Sequence, residues 1–286
     1  MKHFKIFIQL TRLDRPIGYM LLFWPCAWGL AFANLFIKDF NLFSYHLCLF
    51  FIGSVLMRSA GCIFNDIVDK NIDAKVKRTK FRPIASKKIS VVHAFIYVVI
   101  LCLTAFMILL QFNNLTIFLG LISMLLAFSY PFMKRLTYWP QFFLGLTFSW
   151  GAVMAWTSLL NNFSYDIIIL YIGAIFWTLG YDTIYGLQDI IDDEIIGMKS
   201  TSIKFKKNIK QFVGICYGVT AILIGYLINK YSSNILAVFV FSLFIISLSI
   251  QLFKFSAKSP KTCFATFKSN NFSGLLLFLT IINTNL

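Results

Sequence analysis

Apolar residues occupy this chain in nine blocks, roughly 17–37, 43–64, 91–111, 115–133, 141–160, 165–186, 210–229, 234–253 and 271–286, with short polar stretches between them. Nearly all of them approach the roughly 20 residues that carry a helix across about 30 Å of hydrocarbon. Backbone polar groups in lipid must be satisfied within the segment, so blocks this apolar are helices. The alternating segments of about ten residues that build an outer-membrane barrel are absent. The pattern predicts an all-α, polytopic membrane protein, a bundle of nine transmembrane helices forming a single domain over 1–286. The last block is short and ends on polar Asn283 and Asn285. Residues 1–16 carry Lys2, Lys5, Arg12 and Arg15 among apolar residues, the pattern of a helix lying in the membrane interface. No cleavable signal peptide is expected, because the first block runs on to full membrane length without a small-residue cleavage site.

Composition agrees with the pattern: 59% of residues are hydrophobic, only 13% are charged, and mean hydropathy is +0.78. Charge then orients the bundle. Lys and Arg concentrate in the N-terminus and in the loops after the second, fourth, sixth and eighth blocks, which places these on the cytoplasmic side. With nine spans the C-terminus lies outside. The formal charge of +15 sits in short loops beside a membrane, where it serves orientation and contact with anionic lipid, so nucleic acid is not an expected partner. Six cysteines include no CxxC pair and fall mostly inside blocks, which reads as packing and not as a disulfide or zinc framework. The three histidines, His3, His46 and His93, have no metal-ligand spacing.

Eleven acidic residues remain, and eight of them form two groups. In NDIVDKNID, residues 65–73, Asp66, Asp69 and Asp73 are spaced i, i+3, i+7, so on a helix continuing out of the second block their carboxylates share one face. In YDTIYGLQDIIDDE, residues 181–194, Asp182, Tyr185, Asp189 and Asp193 form a second such stripe at the end of the sixth block. Like charges at helical spacing repel, and an acidic residue inside a span costs roughly 2.5–3.5 kcal/mol on insertion scales. Scattered loop charge does not explain tyrosines and aspartates sharing a stripe, or Arg58 inside a span. Carboxylates without thiolate or imidazole partners suit hard cations, and Mg²⁺ binds through one or two carboxylates together with substrate phosphates. Two carboxylate faces on one side of the membrane fit a clamp for Mg²⁺ and a diphosphate. Arg58, Arg78, Arg82, Lys134, Arg135 and Lys199 are near enough in sequence to complete the neutralisation.

The segment MRSAGCIFNDIVDKNIDAKVKRTKFRP (57–83) resembles the first signature of the UbiA superfamily of intramembrane aromatic prenyltransferases, an NDxxDxxxD core with an RxxxRP tail. YDTIYGLQDIIDDEIIGMKSTSIKF (181–205) is similar to the second signature, and YPFMKR (130–135) to the YPxxKR element. RLDRPIGYMLLFWPCAWGL (12–30) resembles the start of the branch that acts on 4-hydroxybenzoate. The match covers roughly residues 10 to 260.

The resemblance implies a nine-helix bundle in the bacterial cytoplasmic membrane, around a central cavity with a lateral opening to lipid. Cap regions at 65–90 and 187–209 would close its cytoplasmic side. Asn65, Asp66, Asp69 and Asp73 on one side and Asp189 and Asp193 on the other would hold Mg²⁺ against a polyprenyl diphosphate. Arg58, Arg78, Arg82, Lys134 and Lys199 would meet the diphosphate. Arg135 and Arg15 would meet the carboxylate of 4-hydroxybenzoate, since a guanidinium binds carboxylate bidentately. Tyr130, Tyr181 and Tyr185 would face the developing carbocation, and Asp182 would orient the phenol or take the ring proton. Prenylation of another aromatic acid, such as a dihydroxynaphthoate in the menaquinone pathway, is the nearest alternative within this chemistry. A cation-coupled transporter is a more distant one, since it would place carboxylates at midplane on broken helices; both clusters here sit at helix ends.

Overall fold

The computed structural model describes residues 2–285; Met1 and Leu286, the outermost residues of the expected first and last segments, lie outside the described residues. A short α1 (Lys2–Thr11) precedes α2 (Ile17–Ile37), and α3 (Phe40–Val68) returns to the starting face. One turn of helix, α4 (Lys70–Asp73), opens the basic loop. Then α5 (Val91–Leu109), α6 (Asn114–Leu136), α7 (Pro140–Leu160) and α8 (Tyr165–Gly186) run in alternating directions. The small helices α9 (Ile190–Ile196) and α10 (Thr201–Lys204) lie on the same face as α4, and α11 (Ile209–Tyr231), α12 (Ile235–Lys254) and α13 (Pro260–Ile282) complete the bundle. Asp39, Ser90, Asn113, Ser164, Asn234 and Ser259 start their helices by accepting a hydrogen bond from a backbone N–H two or three positions on.

Among the described residues, eight helices are long and apolar enough to cross a membrane: α2, α3, α5, α6, α7, α8, α11 and α12. The chain is a multi-pass, all-α membrane protein. The expected ninth span differs. It begins at Pro260, not near 271, and its first half is too polar to meet the same standard. Thr266, Asn270 and Ser273 are buried, and two asparagines are held by neighbouring helices. Trp24 Nε1 donates to Asn271 Oδ1 at 2.9 Å, Trp28 Nε1 donates to the Gly274 carbonyl at 2.9 Å, and Asn270 Nδ2 donates to Gln251 Oε1 at 3.0 Å. Partners on α2 and α12 thus satisfy groups that lipid would not.

Helices α2 and α8 are the most enclosed of the spanning helices, and α2 is packed by α7, α3 and α13. A Cβ on Gly29 would collide with the Ala152 backbone, which shows how closely α2 and α7 approach. Helix α5 packs on α3 and α6 on α7, while α5 and α6 barely meet. The interfacial segment is helical only to Thr11, because Arg12 takes a left-handed conformation (φ 56°) and turns the chain toward the bundle.

Neither acidic stripe lies on one unbroken helix. The first is interrupted at Asp69 (φ −94°, ψ 6°). The second is interrupted between Gly186 and Ile190, where Asp189 adopts φ −112°, ψ 7°. Both aspartates occupy the sparsely populated bridge region, a setting common for active-site residues.

Candidate active site

One cavity of about 1530 Å³ runs from the two acidic segments deep into the bundle. Its rim carries Asn65, Asp66, Asp73, Asp189 and Asp193. Below the rim the walls are apolar, formed by residues of α2, α3, α5, α6 and α7. Val99 and Leu103 of α5 and Leu121 of α6 line the cavity and are exposed, and α5 and α6 barely touch, so the cavity opens sideways where these two helices diverge. Pro131 lies in this wall and removes one helical hydrogen bond beside Tyr130.

The three aspartates of the first cluster are buried, and each has a cation. Asp66 accepts from Arg12 Nη2 at 2.6 Å and from Arg82 Nη1 at 3.0 Å. The same Arg82 nitrogen donates to Asp73 at 2.8 Å. Asp69 pairs with Lys134, and more loosely with Arg135 at 3.4 Å. Across the mouth, Arg78 forks onto Asp189, with Nε to Oδ1 at 2.7 Å, and its guanidinium lies 5.9 Å from the Tyr185 ring centroid. Burial of a carboxylate is tolerated only with such pairing. Burial raises the Asp73 carboxyl above its ordinary range; Arg82 opposes this, and Asp66 and Asp69 add to it. Asp193 is pushed up to about 6, first by burial and then by neighbouring Asp189.

Of the residues singled out from sequence, Asp66, Asp73, Asp182, Asp189, Asp193, Asn65, Arg15, Arg58, Arg78, Arg82, Tyr130, Lys134, Tyr181, Tyr185 and Lys199 all line this cavity. Asp69 and Arg135 do not. Asp69 lies behind the wall, where Lys134 and Arg135 reach it. Arg135 donates to the Val68 carbonyl at 2.8 Å, so its guanidinium is turned away from the space an acceptor would fill. Arg15 reaches the mouth but is mostly exposed, 3.7 Å from Asp14. Arg58 is the opposite case. It lies 5.3 Å from the Phe148 ring centroid, its charge is felt by Asp182, and its buried Nε has no hydrogen-bond partner.

Arg12 is the residue that sequence reasoning missed. It was visible as the first residue of RLDRP, yet only the left-handed turn at the end of α1 reveals that it, and not the exposed Arg15, meets Asp66. Lys268 of α13, in the segment too polar to read as a span, also lines the cavity.

Among the described residues, no three His, Cys, Asp or Glu side chains converge into a cage. The rim is all-oxygen and divided between two segments. That suits Mg²⁺, which is held by few protein carboxylates and shared with phosphate, and does not suit an ion needing a complete protein shell.

Fold and site together define a membrane-embedded helical protein with an acidic, cation-rich rim above an apolar cavity. The chain belongs to the UbiA prenyltransferase family, whose profile matches residues 22–280. It is 40% identical over 281 residues to the 4-hydroxybenzoate octaprenyltransferase of Aliivibrio fischeri, covering 96% of this chain and 94% of that one. Its fold resembles that of a UbiA homolog from Aeropyrum pernix, with TM-score 0.78 and 21% identity over 94% of this chain and 99% of the other. A UbiA homolog from Archaeoglobus fulgidus, solved bound to GPP and Mg²⁺, superimposes with TM-score 0.68 at 16% identity over 98% of this chain and 99% of that one.

Proposed function

We propose that this protein transfers a polyprenyl group from a polyprenyl diphosphate to 4-hydroxybenzoate, forming a carbon–carbon bond ortho to the hydroxyl, an early membrane step of ubiquinone synthesis. The observation that carries the reading is the cavity itself: a charged rim for an anionic headgroup above an apolar shaft for a long tail. Mg²⁺ would be held by Asp66, Asp73 and Asn65 from one segment and Asp189 and Asp193 from the other, with Asp69 supporting the set from behind. Bound there, it would neutralise charge on the departing diphosphate.

The chain's own cations do the rest. Arg78, Arg82 and Lys134 sit on the carboxylates, Lys199 lines the same cavity with its Nζ 3.2 Å from the Leu136 carbonyl, and an arriving diphosphate offers all four better-matched acceptors. As the allylic C–O bond breaks, its electron pair leaves with the diphosphate, and these cations stabilise that charge. The carbocation left behind is shielded from water by the apolar walls and faces the rings of Tyr130, Tyr181 and Tyr185. The acceptor carboxylate goes to Arg58, whose unpartnered Nε lies below the rim, and not to Arg135. Arg15 at the mouth is suited to guiding the acid in. The ring carbon attacks the cation, and Asp182 takes the displaced ring proton, restoring aromaticity.

Purified protein given Mg²⁺, geranylgeranyl diphosphate and a panel of aromatic acids tests this. Product mass should identify 4-hydroxybenzoate as the acceptor, and chelation should stop turnover. A product only from a dihydroxynaphthoate would replace the acceptor, and full turnover after exhaustive chelation would remove the metal.

A further inference from the structure

Arg58 is a cation with no anion of its own. Among the described residues it makes no hydrogen bond and no ion pair, although it leaves α3 seven residues, about 10 Å, below Asn65 at the rim. Its Nε is buried, while both Nη atoms stay accessible in the cavity that Arg58 lines. Packing alone therefore aims this fork. Phe148 of α7 supplies one contact, its ring centroid 5.3 Å from Cζ. Gly18, in the first turn of α2, supplies the other by having no side chain: a Cβ built there would stand 2.9 Å from Arg58 Nε, 3.5 Å from Nη2 and 3.6 Å from Cζ. Gly18 and Phe148 line the same cavity as Arg58.

Glycine forms helix less readily than alanine, so its place in α2 needs a cause. At Gly29 and Gly145 the cause is close helix packing, since a Cβ would meet backbone atoms of a neighbouring helix. At Gly18 the three nearest atoms all belong to the head of Arg58. That head is the free end of a flexible side chain, and α2 is fixed by its close approaches to α7 and α13, so a methyl at 18 would turn the guanidinium and leave the helices in place. Resting on the reading that Arg58 meets the acceptor carboxylate, we infer that Gly18, together with Phe148, forms a slot that sets the plane of the Arg58 guanidinium, which makes Gly18 a positioning residue for aromatic acid acceptors. A guanidinium grips a carboxylate through two parallel N–H donors, so the match depends on the plane in which the fork is held.

A double-mutant cycle tests the slot. Gly18→Ala should raise the KM for 4-hydroxybenzoate about tenfold or more, the equivalent of one charge-assisted hydrogen bond, and leave the KM for geranylgeranyl diphosphate within about twofold. The thermal midpoint in detergent should be unchanged or higher, because alanine favours helix. In an Arg58→Ala background the same substitution should move the acceptor KM by less than about twofold, since Gly18 acts only through the missing guanidinium. Phe148→Leu should give a smaller rise with the same dependence on Arg58, and it carries the cycle alone if Gly18→Ala does not fold. Where a folded variant has no turnover, equilibrium dialysis of 4-hydroxybenzoate replaces KM. An acceptor KM unmoved in Gly18→Ala, or a rise of equal size with and without Arg58, would overturn the inference while leaving the acceptor reading intact. Coupled rises in the donor KM, with the acceptor KM unmoved in Arg58→Ala, would instead overturn the reading beneath it and give Arg58 to the diphosphate.

Discussion

Arg82 shows how the rim is balanced residue by residue. A single guanidinium nitrogen serves both Asp66 and Asp73, while Asp66 keeps a second partner in Arg12. In Arg82→Ala the buried Asp73 carboxylate loses its partner, and removing one member of a buried pair costs about 3–5 kcal/mol. Denaturant unfolding in detergent should show that loss, and added Mg²⁺ should restore part of it. Arg58 is balanced differently: its buried Nε has no hydrogen-bond partner, and under the proposed reaction its guanidinium meets the acceptor carboxylate. Arg58→Ala should raise the acceptor KM by roughly 30-fold or more, matching the 2–5 kcal/mol lost with a desolvated charged pair, and leave the donor KM nearly unchanged. Equal rises in both constants would return Arg58 to the diphosphate. Asp193, whose carboxyl titrates near 6, is protonated below that pH, and a proton there competes with a cation. The Mg²⁺ concentration giving half-maximal rate should therefore climb as pH falls from 7 to 5, and Asp193→Asn should flatten the climb. These residues were legible in the sequence because they belong to long motifs. Which cation faces which anion was not, since side chains adjacent on α6, Lys134 and Arg135, diverge by about 100° and only the packing of α6 against α3 decides which one reaches the cavity.

Among the helices, the departures from sequence expectation have a common cause: periodicity assumes an uninterrupted helix. Spacing placed the aspartates on continuous faces, but α3 stops at Val68 and α8 at Gly186: Asp66 and Asp182 lie near the ends of these helices, Asp69 and Asp189 at the breaks, and Asp73 and Asp193 in the short helices beyond. The grouping survives because each break is brief. Hydropathy missed the first half of α13 for a separate reason, its asparagines being held by side chains of α2 and α12: Asn271 by Trp24 and buried Asn270 by Gln251. It also gave no hint that α1 serves the site. Leu10 of α1 is fully buried and Phe7 packs on Tyr97 of α5 at 5.2 Å, which fixes the turn that delivers Arg12 to Asp66. Deleting residues 2–11 should leave the eight apolar helices inserted but raise the donor KM about tenfold, the equivalent of one charge-assisted contact of roughly 1.4 kcal/mol. An unchanged donor KM would make α1 a membrane anchor only.

At the scale of the molecule, the bundle holds side by side the two environments that the proposed reaction needs, a charged rim suited to a diphosphate and an apolar interior that would shield a carbocation from water. The class of protein and its rim followed from the amino-acid pattern; the cavity's depth and its sideways gap depend on how helices far apart in sequence meet. The central claim is that the cavity joins an allylic carbon to a ring carbon. The most direct measurement uses 4-hydroxybenzoate carrying deuterium at both positions ortho to the hydroxyl, with Mg²⁺, geranylgeranyl diphosphate and the purified protein, and weighs the prenylated product. Loss of one deuterium is the predicted result, because the new carbon–carbon bond displaces one ring hydrogen. A prenylated product retaining both would mean attachment through oxygen or at a ring carbon not ortho to the hydroxyl, and would contradict the account.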